Sequence, residues 1–330
     1  MNWDKVFVFS AIAAFAAVSA FGDIYLAGDS TMCNYRDSQY PQQGWGQALS
    51  IFMKDADKLH NRAIGGRSAR SFKAEGRWAS LIRDLQPGDW VIVAFGHNDA
   101  NKQKKDRYSS KEDYKELMRG FASDVKEKGA NIVFATSIPH SGGFTSSGED
   151  QLSVRGSASG LGPYVAATCE LGEELGIPVL DLNRYACENL PKIGFAKAKK
   201  LYMRIEPGEY DSYPNGKSDG CHIRDTGAYY YASAAVEMAR EKNLGICELF
   251  KAPEEVVFTP IPKEGPRARV TPMKDDFSQE EIPYANEGAE DWRKEIMNLR
   301  REAQKNGMAK EEAQRWAAQE YRRRHKENSK

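Results

Sequence analysis

The residues of this 330-residue chain that could do chemistry are a serine, two histidines with acids nearby, and three glycine-bearing turns. Gly28-Asp29-Ser30 closes the apolar run "DIYLA" at 23–27. A bendable residue, an acid and a hydroxyl there make either a strand-ending turn or a nucleophile at a strand tip. A serine hydroxyl attacks weakly until a base takes its proton, and the base needs a third group to orient it. Among five histidines, His222 has an acid three residues earlier, in "SDGCHIRDTG", so one loop can present both side chains. Asp219 then accepts from Nδ1 of His222 and leaves Nε2 to face Ser30. His97, with Asp99 close by, is the alternative base. It is read instead as a structural or substrate-contact residue, with Asp99 organising its loop. Asp29 reads as a turn acid bonded to nearby backbone, His60 and His140 as ordinary polar residues, and Trp45 and Trp78 as packing.

Ester cleavage at a serine also builds a tetrahedral oxyanion, and losing one of its donors costs about 2.7–4 kcal/mol. Two stretches offer such donors. "NRAIGGRS" at 61–68 places Gly65-Gly66 after the second strand-like run, where a bare backbone N–H can approach a ligand. "FGHND" at 95–99 places Gly96-His97-Asn98 after the third, with an amide side chain at Asn98. There is no GxSxG elbow, P-loop or HExxH. Cys33, Cys169, Cys187, Cys221 and Cys247 are widely spaced with no CxxC, so zinc-ribbon or thioredoxin chemistry has no support. The chemistry calls for no cofactor and no metal.

The elements that must hold these residues are short apolar runs alternating with helical stripes. The runs are 23–27, 58–63 (weak), 89–95, 130–139 and 177–182, the kind of strand that is buried on both faces. Ser110-Lys111-Glu112-Asp113 resembles a capping box, followed by Tyr114, Leu117, Met118, Phe121 and Val125 on one helical face. Tyr164, Thr168, Leu171 and Leu175 form another stripe, closed by Gly176. A further helix runs from Asp225 or Thr226 to about Arg240. This order predicts an α/β protein with a three-layer parallel sheet and right-handed crossovers. Ligands then bind beyond the carboxyl ends of the strands, where Ser30 falls. The Gly- and Ser-rich stretch 141–162 reads as a long loop on that edge.

The ends read differently. Residues 1–22 carry Lys5 and then the apolar run 6–21, the pattern of a signal peptide; the run is short for a membrane span. Export, whether to the periplasm or the medium, permits up to two disulfides. Residues 23–250 form the catalytic unit, 251–286 a Pro-rich charged linker, and 287–330 a charged helical segment. The basic end "YRRRHK" at 321–326 is read as a docking surface for an acidic polymer or membrane surface, beside the plainer reading of a solvated helical pair. Lys plus Arg and Asp plus Glu both count 47, so no global field argues for nucleic acid, and nothing argues for a stable membrane anchor.

As a set, "GDSTM", "GWG", "NRAIGGRSARSF", "EGRW", "PGDWVIVAFGHNDA" and "DGCHIRDTGA" resemble the SGNH (GDSL-type) hydrolases, in their rhamnogalacturonan acetylesterase branch, over about 23–240. The resemblance implies a flavodoxin-like SGNH fold with a five-stranded parallel sheet, here with a C-terminal helical tail. It implies a secreted serine esterase that removes O-acetyl groups from plant cell-wall polysaccharide, pectic rhamnogalacturonan first. By the same resemblance Ser30 is the nucleophile, His222 the base and Asp219 its orienting acid, while the Ser30 N–H, Gly66 N–H and Asn98 side chain are oxyanion donors. After the fourth strand the text "SIPHSGGF" stands where the family often carries a basic pair and an aromatic. The rival readings are an acetylxylan esterase or another GDSL esterase or lipase and, from another class, a non-catalytic carbohydrate- or envelope-binding protein.

Overall fold

A computed structural model describes residues 22–147 and 150–257, together with 302, 303, 305–308 and 316. The expected signal peptide lies outside the described residues but for Gly22, as does all but 251–257 of the expected linker and all but those few residues of the tail. Among the described residues, no helix is long and apolar enough to cross a membrane.

Five strands form one parallel sheet: β1 (Ile24–Gly28), β2 (Leu59–Asn61), β3 (Trp90–Ala94), β4 (Asn131–Ala135) and β7 (Val179–Leu180). Their order is β2-β1-β3-β4-β7, with every neighbour parallel. Side chains alternate across a strand, and here both faces are apolar. Ile24, Leu26, Ile92 and Val133 enter one core and Tyr25, Ala27, Val91 and Val93 the other.

Helices cover both faces. α2 (Ala69–Ala74), α3 (Arg77–Asp84), α4 (Lys111–Glu127) and α5 (Gly162–Leu175) put Phe72, Trp78, Tyr114, Phe121 and Leu171 into the second core. α1 (Trp45–Ala48), α6 (Leu182–Ile193), α7 (Phe195–Lys199) and α8 (Asp225–Glu241) cover the first. Each fully buried Leu, Ile or Phe among these contributes about 1.5–3 kcal/mol. The expected ends hold: the Ser110 side chain accepts from Asp113 N–H to start α4, and Gly176, at φ 62°, closes α5. Trp45 and Trp78 are core residues, 1% and 3% exposed.

Two expectations need correction. The stretch 141–162 is not a plain loop; it folds a small antiparallel hairpin, β5 (Phe144–Ser146) with β6 (Leu152–Val154). Asp219 and His222 lie not on a loop but on β9 (Lys217–Ile223), antiparallel to β8 (Tyr202–Ile205). All five cysteines are free.

The chain leaves β1 outward to β2 and returns to β3 on the other side of β1. The connections therefore diverge at the carboxyl ends of β1 and β3, and a crevice opens there. Ser30 follows β1 and His97-Asn98 follow β3, so they flank that point.

Candidate active site

The turn after β1 is made to be tight. A Cβ on Gly28 would stand 2.7 Å from Met32 Sδ and 2.9 Å from the Ala94 carbonyl, so only glycine fits. Asp29 then shapes the turn: Oδ1 accepts from Thr31 N–H and Thr31 Oγ1, both at 2.8 Å. The Ser30 carbonyl is held by Tyr35 Oη at 2.7 Å. Ser30 is thus fixed by its own backbone and by both neighbours, and is 3% exposed.

The two glycine-bearing turns are tied to it and to each other. Ile64 N–H donates to the Gly28 carbonyl at 3.0 Å, which brings the following Gly66 to the same edge at φ 78°, a left-handed backbone suited to glycine. Asn98 Nδ2 donates to the Arg67 carbonyl at 3.1 Å, locking the β3 turn against the β2 turn. Asp99, as expected, organises this corner: it is fully buried and accepts from Ala69 N–H at the start of α2. Burial, with the Asp29 carboxylate adding to it, pushes the Asp99 carboxyl up to about 8.

His222 and Asp219 are joined by a 2.7 Å contact between Nδ1 and Oδ2, and each is 5% exposed. Residues three apart on a regular strand point to opposite faces. A bulge removes that obstacle. Between the pairs Tyr202–Ile223 and Arg204–Ser218, β8 has only Met203, whereas β9 has four residues, Asp219 to His222. Asp219 Oδ1 stabilises the bulge by accepting from Cys221 N–H at 2.9 Å and His222 N–H at 3.1 Å. Burial alone would raise the Asp219 carboxyl, but the His222 ring, Lys217 at 3.6 Å and these N–H groups outweigh it and hold the carboxyl well below its ordinary value.

The segment 41–45 braces this strand against the turn that carries Ser30. Gln43 N–H donates to the Ile223 carbonyl, Asp225 N–H to the Pro41 carbonyl and Trp45 N–H to the Thr31 carbonyl. Ser30 and His222 are each one residue from a bond in that brace.

His97 occupies a second pair. Its Nδ1 lies 3.3 Å from Asp29 Oδ2 and its Nε2 lies 3.0 Å from the Ile138 carbonyl. Asp29 is buried, which by itself raises its carboxyl, yet His97 and the Thr31 donors bring it below its ordinary value. His60, an ordinary polar residue as expected, pairs with Asp23 at 2.7 Å. His140 is not one. Its ring centroid lies 5.3 Å from that of His97. Burial, reinforced by His97 and His222, drives it down to about 3, so it is neutral. It lies within reach of the charges on Asp29 and Asp219 too. Cys221 joins them: burial, then Asp219 and Asp29, push its thiol well above its ordinary value. Sequence reasoning missed His140 and Cys221 as members of this cluster. The signal was present for His140, which follows β4 on the same carboxyl edge.

Comparison with known proteins gives the family. The model of the GDSL-like lipase/acylhydrolase family matches residues 26–228. The chain belongs to that family and is a serine-type carboxylic ester hydrolase. It is 32% identical over 221 residues to rhamnogalacturonan acetylesterase RhgT of Bacillus subtilis, covering 67% of this chain and 90% of that protein. It is 30% identical over 230 residues to a probable rhamnogalacturonan acetylesterase of the same organism, YesY, covering 68% and 95%. Among solved structures, that of YxiM from Bacillus subtilis superposes with a TM-score of 0.55 at 30% identity, over 68% of this chain and 57% of that one.

Proposed function

We propose that the protein removes O-acetyl groups from a plant cell-wall polysaccharide, rhamnogalacturonan first, through an acetyl-Ser30 ester. The observation that carries the proposal is the buried 2.7 Å Asp219–His222 pair, which binds Nδ1 and leaves Nε2 as the nitrogen for proton transfer. His222 takes the Ser30 proton as Oγ attacks the acetyl carbonyl, and Asp219 holds the ring and stabilises the imidazolium that forms. The Ser30 and Gly66 N–H groups and Asn98 Nδ2 receive the oxyanion. Collapse expels the sugar hydroxyl, which takes its proton from His222. Water, deprotonated by His222, then releases acetate and restores Ser30. His97 does not serve as a base in this scheme; it holds the β1 and β3 turns, and its edge contacts the sugar.

The substrate class rests on the relatives named rhamnogalacturonan acetylesterases and on a hairpin beside the site whose Thr145, Ser146 and Ser153 are exposed and polar, a poor lid for a lipid. The same reading takes residues 1–22 as a signal peptide removed on secretion, 23–250 as the catalytic unit and 251–286 as a linker. The tail at 287–330 is taken as a charged helical segment, with docking of its basic end at 321–326 on an acidic polymer or surface as the alternative to a solvated helical pair. Acetate release from acetylated rhamnogalacturonan and from acetylxylan, by the native protein and by Ser30→Ala, tests the proposal. Preferential release from rhamnogalacturonan that vanishes in Ser30→Ala is expected. Preference for acetylxylan would replace the substrate. No release from either polymer or from an aryl acetate would leave a binding protein.

A further inference from the structure

Three segments remote in sequence deliver His97, His140 and Cys221 to one spot beside the catalytic pair. One ligand atom from each lies within 4.8 Å of the others. Tetrahedral Zn²⁺ bonds of about 2.0–2.3 Å set ligand atoms about 3.3–3.7 Å apart, so side-chain adjustments of an ångström or less close the site. Two imidazoles and a thiolate are the donor set that selects a borderline or soft divalent ion over Mg²⁺ or Ca²⁺.

We infer that His97, His140 and Cys221 form a binding site for a thiophilic divalent transition metal, Zn²⁺ first, whose occupancy switches the esterase off. Among the described residues the His140 ring makes no hydrogen bond and lies against His97, with ring centroids 5.3 Å apart, so it is available as a ligand without losing a hydrogen-bond partner. His97 carries the outer carboxylate that metal-bound histidines usually have. Its Nδ1 faces Asp29, and its Nε2 turns from the Ile138 carbonyl to the metal. The Cys221 thiol releases its proton to solvent as sulfur binds, because a coordinating metal deprotonates it.

Inhibition follows from position. His140 and Cys221 both interact electrostatically with Asp219 and Asp29. A bound dication therefore opposes the positive charge that His222 must acquire during turnover. It also pulls His97 from the contact that joins the β3 and β4 turns. The inhibitory half of the inference rests on the esterase reading; the binding half does not.

Cobalt titration of the full chain separates the two. One equivalent of Co²⁺ should produce a thiolate-to-cobalt charge-transfer band in the near ultraviolet. Cys221→Ser should abolish the band, and His140→Gln, with an unchanged Tm, should weaken binding at least tenfold. Zn²⁺ should displace the cobalt and suppress aryl acetate hydrolysis reversibly, with a chelator restoring it and Mg²⁺ having no effect. Cys221→Ser and His140→Gln should hydrolyse normally and resist zinc. No band in the native chain, or a band that survives in Cys221→Ser, overturns the site. Zinc displacing the cobalt with hydrolysis undiminished overturns the switch. A chain that binds cobalt but hydrolyses no ester even when metal-free overturns the esterase reading instead.

Discussion

His222 with Asp219 and His97 with Asp29 are the same two residue types at the same sheet edge, yet they are built for different work. Asp219 and His222 come from one strand, three residues apart, and meet at 2.7 Å across a bulge. Asp29 and His97 come from turns 68 residues apart and meet at 3.3 Å. The larger difference is at the far side of each ring. His97 Nε2 is committed to the Ile138 carbonyl, so both its nitrogens face oxygen acceptors. His222 is gripped through Nδ1 by an acid of its own strand. A ring whose two nitrogens face fixed oxygens of other turns fastens loops together, whereas a ring oriented through Nδ1 by an acid can shuttle a proton at Nε2. An aspartate beside a histidine is therefore not enough to identify a base.

That contrast can be broken or sharpened in several ways. Ser30→Ala should have the largest effect, lowering kcat by on the order of 10⁴–10⁶-fold with the fold intact, read by acetate release and circular dichroism. Asp219→Asn keeps the shape but presents the wrong tautomer to His222, and kcat should fall by about 10⁴-fold. If His97 were the base, this substitution would cost far less. Asn98→Ala removes one oxyanion donor together with its bond to Arg67, and kcat should fall by about 10²–10³-fold with KM nearly unchanged.

The smallest effect is on stability. The Asp99 carboxyl titrates near 3.8 in the unfolded chain and near 8 in the native one. Between these values the native state keeps a proton that the unfolded state gives up, so stability falls as pH rises across the window. Asp99→Asn carries no such proton. Its Tm advantage over the native protein should grow from about pH 4 to about pH 8, and a constant difference would refute the assignment.

Much of this was legible in the text. β1, β3 and β4 are continuous apolar runs because both faces of a parallel sheet are covered, and the turn residues after β1, β2 and β3 stood out against them. β7 was harder: a six-residue strand at 177–182 was expected, but only Val179 and Leu180 pair with β4, because Asp181 already caps the N-terminus of α6. β5 and β6 were hidden in a Ser- and Gly-rich stretch, since three-residue strands leave too little alternation to read. The pairing of Asp219 with His222 was readable from spacing, but the bulge that makes it possible was not, because it depends on a partner strand 14 residues away across Arg204–Ser218. His140 and Cys221 escaped notice because their significance is a meeting of distant segments, which no local pattern encodes.

The central claim is that His222, and not His97, is the base for Ser30. The most direct measurement is kcat/KM for an aryl acetate in His222→Ala and His97→Ala side by side. The account predicts a loss of on the order of 10⁴-fold or more for His222→Ala and at most about 10²-fold for His97→Ala, which disturbs only a positioning contact. Equal losses, or the reverse order, would contradict it.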